Sequence, residues 1–141
     1  MARIDLLFVC IGNCCRSPMA EAIARSLGGD RVVAQSAGLS PAGFIAETTH
    51  ATLRRLGYSS EGLYSKGLDA IDVSTVDVAV SLIDGEMQHV FGCGPHARRV
   101  YWPLPDPFGE DDSLYLRVAR EIEVRVRHLL EEELFGELLP D

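Results

Sequence analysis

The stretch that most constrains this chain lies at its start. Ile4-Asp5-Leu6-Leu7-Phe8-Val9-Cys10 is a short, nearly continuous apolar run that breaks off at Gly12. A run without polar alternation suits a strand buried on both faces of a parallel sheet. A helix start follows at once. Ser17 offers an N-cap hydroxyl and Pro18 suits a first turn, while Met19, Ala20, Ile23, Ala24 and Leu27 form an apolar stripe that stops at Gly28-Gly29. Strand, tight loop and helix come in immediate succession, the unit from which parallel sheets are built.

The rest of the chain repeats this pattern. Residues 31–36 (RVVAQS) predict a second strand closed by Ala37-Gly38, with a loop over 40–43. Ala46, Thr49, Leu53 and Leu56 fall at helical spacing over 46–56, and Gly57 supplies the stop. Residues 76–82 (VDVAVSL) predict a third strand, 85–91 a short helix and 98–102 a fourth strand. Pro103-Leu104-Pro105-Asp106-Pro107 reads as loop, because prolines lack the N–H that a ladder needs. Leu114, Val118, Ile122, Val126, Leu129 and Leu130 mark one side of a long amphipathic helix over 113–134. A chain of 141 residues has room for one core. The expectation is a single α/β domain over 1–141: a four-stranded parallel sheet with helices on both faces, in a Rossmann-type three-layer arrangement. Ligands of such sheets bind outside the carboxyl ends of the strands, where Cys10 falls.

Charge and cysteine placement narrow the function. The 13 basic and 21 acidic residues leave a formal charge of -8, which argues against a broad basic face for nucleic acid or anionic lipid, so any anionic ligand must be held locally. The longest purely apolar run, from Leu6 to Ile11, is far short of the ~20 residues that span a bilayer, and the N-terminus lacks a secretory leader pattern. A soluble, cytoplasmic protein is expected. Cys10, Cys14 and Cys15 crowd together while Cys93 stands alone, unlike a disulfide scaffold. None of His50, His89, His96 or His128 joins them in zinc-knuckle spacing, so no metal is expected. The run Glu131-Glu132-Glu133 reads as a solvated helix face.

Chemistry concentrates in Cys10-Ile11-Gly12-Asn13-Cys14-Cys15-Arg16-Ser17, a cysteine followed six positions later by arginine and then by a hydroxyl at a helix start. A tight loop at a helix N-terminus can surround a phosphate-sized anion with backbone N–H groups, and the helix dipole favours negative charge there. Gly12 and Asn13 tolerate the left-handed conformations that turn those groups inward. Arg16 adds a bidentate fork. Cys10 is the candidate nucleophile, since oriented donors favour the reactive thiolate. Ser17 is placed to donate to that sulfur. Asp106, after the fourth strand, reaches the same sheet edge and can protonate a leaving oxygen, then activate water. The Cys-to-Arg spacing is weak by itself; the strand end and helix start that frame it make it specific. Neither dinucleotide-loop glycine spacing nor Gly-Lys-Ser/Thr is present.

Through Val9 to Glu21 (VCIGNCCRSPMAE), Ser36-Ala37-Gly38 and Asp106-Pro107-Phe108, the sequence resembles the low-molecular-weight protein tyrosine phosphatase superfamily, which includes thioredoxin-coupled arsenate reductases. The resemblance runs over essentially the whole chain. It implies a cysteine-dependent phosphomonoester hydrolase that works through a phosphocysteine, with Cys10 as nucleophile, Arg16 as phosphate binder and Asp106 as general acid. It also implies Asn13, Ser17 and Ser36 as loop-shaping residues, and neither metal nor organic cofactor. The partner would be a phosphorylated protein or a small phosphomonoester. The alternative is arsenate reduction at the same loop, with thioredoxin as partner, and a third reading is a phosphate-binding module without catalysis. Cys15 matches the superfamily's second loop cysteine, which implies either a redox thiol that pairs reversibly with the nucleophile or a side chain that simply packs beneath the loop; Cys14 is a rarer addition. Phe108 replaces the usual tyrosine, with Phe44 expected beside it, and Leu63 stands where many members carry a supporting histidine. Gly29-Asp30-Arg31, Arg98-Arg99 and Arg120-Glu121-Ile122 lean toward the arsenate reductases. Ile83 and Val90, however, stand where those enzymes carry relay cysteines, and Cys93, three residues beyond the second, reads more readily as a small apolar filler than as a resolving thiol.

Overall fold

The computed structural model describes residues 3–85 and 96–135. Four strands, β1 (Ile4–Cys10), β2 (Val32–Gly38), β3 (Val78–Ile83) and β4 (Arg98–Leu104), form one wholly parallel sheet in the order β2-β1-β3-β4. Among the described residues three α-helices accompany them: α1 (Arg16–Gly28), α2 (Glu47–Arg55) and α3 (Asp112–Leu130).

The apolar run at the start of the chain becomes an inner strand. β1 pairs with β2 from Ile4↔Val32 to Cys10↔Gly38, and with β3 from Leu6↔Val78 to Val9↔Ser81. Leu6, Leu7, Phe8 and Val9 are therefore sealed from solvent on both sides. Leu6 and Phe8 join Val80, Leu82 and Trp102 against Met19 and Ile23 of α1 and Ile122 and Val126 of α3. Truncating the fully buried Phe8 to alanine would cost about 3–5 kcal/mol. Leu7 and Val9 point to the opposite face with Ala37, Ala79 and Ile83. Among the described residues both faces are covered, but unequally. α3 packs on α1 and α2 in a single layer, whereas two 3-10 turns, Leu68–Ala70 and Val73–Thr75, bring Leu68 and Val73 to the second face. The helix expected over 85–91 lies, from residue 86 onward, outside the described residues, as do Val90 and Cys93.

Three local expectations are corrected. Pro103 belongs to β4 rather than to the following loop. β4 is the outermost strand and its register against β3 slips between Ser81 and Ile83, so the proline occupies an edge position that needs no donor. Ser17 does not cap α1: the helix begins at Arg16, Cys15 holds the cap position without a side-chain bond, and the Ser17 hydroxyl turns toward Cys10 instead. The last helix leaves α geometry at Leu130 and closes with a wider π turn, Glu131–Phe135. Glu131 and Glu132 are exposed, as expected of a solvated face, and Glu132 and Glu133 also pair with Arg98 of β4 at 3.3 and 2.5 Å, which links this turn to the sheet edge.

Candidate active site

β1 delivers Cys10 to the carboxyl end of the sheet beside Gly38, and residues 11–15 turn the chain into α1. The carbonyls of that turn are fastened on its outer side. The Leu39, Ser40 and Ala42 N–H groups donate to the carbonyls of Cys10, Ile11 and Gly12 at 3.1, 2.8 and 2.8 Å. The Ala46 N–H and the Thr49 hydroxyl donate to the Cys14 carbonyl at 3.1 and 2.8 Å. A trans peptide points its N–H opposite to the preceding carbonyl. The N–H groups of Ile11, Gly12, Asn13 and Cys15 therefore turn inward, and they donate to no protein acceptor among the described residues. Two local features permit this. Asn13 takes φ of +49°, the one left-handed non-glycine among the described residues. Gly38 has no Cβ where one would meet the Ile11 carbonyl oxygen at 2.6 Å and the Asn13 nitrogen at 2.9 Å.

Side chains beneath the loop fix where protons point. The Lys66 N–H donates to Asn13 Oδ1 at 2.9 Å, which sets the amide so that Nδ2 donates to both Ser17 Oγ (2.8 Å) and Ser36 Oγ (2.9 Å). Ser36 passes its own proton to Glu21 Oε1 at 2.6 Å. Ser17 Oγ, already accepting from Asn13, is left to donate to Cys10 Sγ at 2.9 Å. The buried Glu21 carboxylate is held by Arg25 and by Lys66 Nζ at 3.6 Å, so its charge is compensated.

Arg16 is buried and anchored through one nitrogen. Its Nη1 donates to the Leu82 carbonyl (3.2 Å), the Leu104 carbonyl (2.8 Å) and Asp84 Oδ1 (3.2 Å). The strand ends of β3 and β4 thus clamp one edge of the guanidinium. The edge made by Nε and Nη2 has no protein acceptor among the described residues and is left for an oxyanion.

Cys10, Arg16 and Asp106 line one pocket of about 340 Å³ together with Ile11, Gly12, Cys14 and Cys15. Asp106 is exposed, and its Oδ1 accepts the Phe108 N–H at 3.1 Å, which steadies the loop after β4. Phe44 and Phe108, each half exposed, pack with ring centroids 5.8 Å apart at the mouth and form the aromatic wall expected of them. Asn13, Ser17 and Ser36 sit underneath, away from the lining. Cys14 and Cys15 sulfurs lie 3.6 Å apart, and Cys15 Sγ lies 3.2 Å from the Tyr115 hydroxyl. Burial pushes the Cys14 thiol up to about 12, aided by the adjacent Cys15, and burial also raises Cys15 against the lowering effect of the Tyr115 hydrogen bond. Both keep their protons at neutral pH.

Several supporting residues were not singled out from the sequence. Asp84 follows β3 and meets Arg16; its place at the carboxyl end of a neighbouring parallel strand was the available signal. Glu21 stands one helical turn beyond Ser17, a spacing that puts both on one face of α1. Lys66, Ser65 and Tyr115 carried no local signal, since they arrive from far along the chain. Leu63 packs partly buried against the main core.

Known proteins share this arrangement. Residues 5–137 match the sequence profile of a family described as low molecular weight phosphotyrosine protein phosphatase. An arsenate reductase of Bacillus cereus is 31% identical over 122 residues, spanning 86% of this chain and 90% of the relative. A glutaredoxin arsenate reductase of Synechocystis is 28% identical over 133 residues, spanning 89% and 95%. The structure of an arsenate reductase in its phosphate-binding state superposes with a TM-score of 0.81 at 27% identity, over 92% of this chain and 98% of that one. The parallel sheet, the loop between β1 and α1 and these matches agree: the chain belongs to the low-molecular-weight protein tyrosine phosphatase superfamily, which includes the arsenate reductases.

Proposed function

We propose that the pocket processes tetrahedral oxyanions by attack of Cys10 and that its reaction is arsenate reduction. The observation that carries the oxyanion chemistry is Cys10 Sγ, held 2.9 Å from the Ser17 hydroxyl in the pocket that Arg16 and Asp106 also line. Arsenate is favoured over a phosphate ester because the curated relatives are arsenate reductases across nearly their whole length. This reverses the order in which the sequence ranked the two readings.

In the proposed reaction the N–H groups and the free edge of Arg16 hold the oxygens, and the Cys10 thiolate attacks arsenic while one oxygen leaves as water, its proton supplied by Asp106. A second thiol then attacks the Cys10 sulfur. The S–As bond breaks, its electron pair stays on arsenic, arsenite departs, and the two sulfurs are left as a disulfide. Ile83, where the relatives' relay thiol would stand, is an apolar side chain buried at the end of β3. The second thiol is therefore assigned to Cys15 or to an external donor, a protein dithiol of the thioredoxin or glutaredoxin kind, in a reducing cytoplasm. Arsenite formed from arsenate should appear with reduced thioredoxin, glutaredoxin or glutathione and vanish in Cys10→Ser. No arsenite with any of these donors would sink the reading.

The aromatic pair at the mouth and the carboxyl of Asp106 favour a second reaction at the same site, hydrolysis of aryl phosphomonoesters. In the same assay series para-nitrophenyl phosphate should be turned over by the parent and not by Cys10→Ser. Asp106→Asn should slow esters of poor leaving groups by ~10²-fold or more.

A further inference from the structure

We propose that Cys14 and Cys15 form a two-sulfur chelate for trivalent arsenicals, separate from the nucleophile. Their sulfurs are 3.6 Å apart, and both side chains, 9% and 2% exposed, line the floor of the pocket that Cys10 also lines. Two sulfurs held ~2.3 Å from one three-coordinate pyramidal centre, at angles of about 90–100°, sit roughly 3.3–3.5 Å apart, so the pair is within ~0.3 Å of a chelating span. The sequence places the two cysteines side by side, and the loop turns both sulfurs the same way. Cys10 is not part of the pair, because its sulfur faces the Ser17 hydroxyl.

The chemistry selects arsenic over a divalent metal. Zinc asks for four ligands, and among the described residues no group of three His, Cys, Asp or Glu side chains gathers to supply them. Trivalent arsenic completes its valence with two sulfurs and one carbon or oxygen. Burial keeps protons on both thiols, which opposes capture of a bare cation but not of an arsenic hydroxide. For a phenylarsonous acid, two S–As bonds form and two As–O bonds break, and each thiol proton leaves with a hydroxide as water. Arsenic stays trivalent and no electron is transferred. The inference rests on no turnover, so failure of arsenate reduction and failure of the chelate are separate results.

The test uses phenylarsine oxide on the full-length protein. One equivalent should bind and shift the intact mass by one phenylarsenic group. It should survive excess glutathione, which strips arsenic from single thiols, and come off with dithiothreitol. Alkylation in denaturant, followed by peptide mapping of the unsubstituted protein, should find Cys14 and Cys15 protected and Cys10 and Cys93 alkylated. Cys10→Ser should keep the adduct, whereas Cys14→Ser should lose it. Protection of Cys10 in place of Cys14, or an adduct that glutathione removes, would overturn the proposal. The mapping arm decides the matter even where Cys14→Ser fails to fold.

Discussion

At the scale of single residues, the site is governed by which polar atoms are already taken. Arg16 spends Nη1 on two strand-end carbonyls and on Asp84, and so offers its other edge to an anion. Asp84 is more than half exposed, and its charge acts through solvent. Asp84→Asn keeps an acceptor for Nη1 but removes a negative charge beside the anion. Competitive inhibition by inorganic phosphate should therefore tighten roughly two- to fivefold, matching the ~0.4–1 kcal/mol of an exposed charge pair. An unchanged inhibition constant would show that the two carbonyls alone govern Arg16. The candidate nucleophile Cys10, Arg16 and the segment between them could be singled out in the sequence because they are contiguous. Asp84 and Lys66 were not, because their roles exist only once β3 and the segment after α2 arrive beside the loop.

Elements decide whether the loop can hold its shape. β2 must pass close beneath it, and Gly38 is the contact point. Gly38→Ala puts a methyl group 2.6 Å from a backbone oxygen that is itself hydrogen-bonded to Ser40, so neither side can yield without losing the inward N–H arrangement. A destabilisation of about 1–3 kcal/mol and near-complete loss of activity are expected. Gly12→Ala is the contrast. Its methyl would meet only Cys14 Sγ at 3.5 Å and Ala42 Cβ at 3.7 Å, and its melting temperature should stay close to that of the parent. Calorimetry of the two variants checks both. The strand and helix expectations hold to within one or two residues where hydrophobic period is strong, as in β1 and α1. They fail at Pro103 and at the last turn of the final helix. The first failure arises because the proline rule does not apply on an edge strand. The second lies in a turn whose acidic side chains pair with Arg98, a residue distant in sequence.

For the whole molecule, buried protonated groups make stability depend on alkaline pH. Cys14 is pushed up to about 12 chiefly by burial, Tyr58 to about 12 by burial and then by its hydrogen bond with Glu123, and Tyr115 upward by burial and then by Cys15. An acid whose folded form holds its proton more tightly stabilises the fold below its ordinary pKa and loses that contribution as pH rises through the folded value. The melting temperature should be level up to about pH 9, the ordinary thiol value, and fall steadily toward pH 12. Cys14→Ser should flatten the first part of that fall, and a level profile to pH 11 would contradict the burial of these groups. No helix among the described residues is long and apolar enough to cross a membrane. The sequence by itself determined the parallel α/β architecture and the eight-residue segment from Cys10 to Ser17 that joins strand to helix, because hydrophobic period, glycine placement and helix signals act over neighbouring residues. Only the tertiary structure decided which edge of Arg16 is free, which way the loop's N–H groups point, and that two adjacent thiols share one pocket. Those outcomes depend on hydrogen bonds from β2, from the strand ends of β3 and β4 and from the segment after α2, and pairings across such distances leave no local pattern to read.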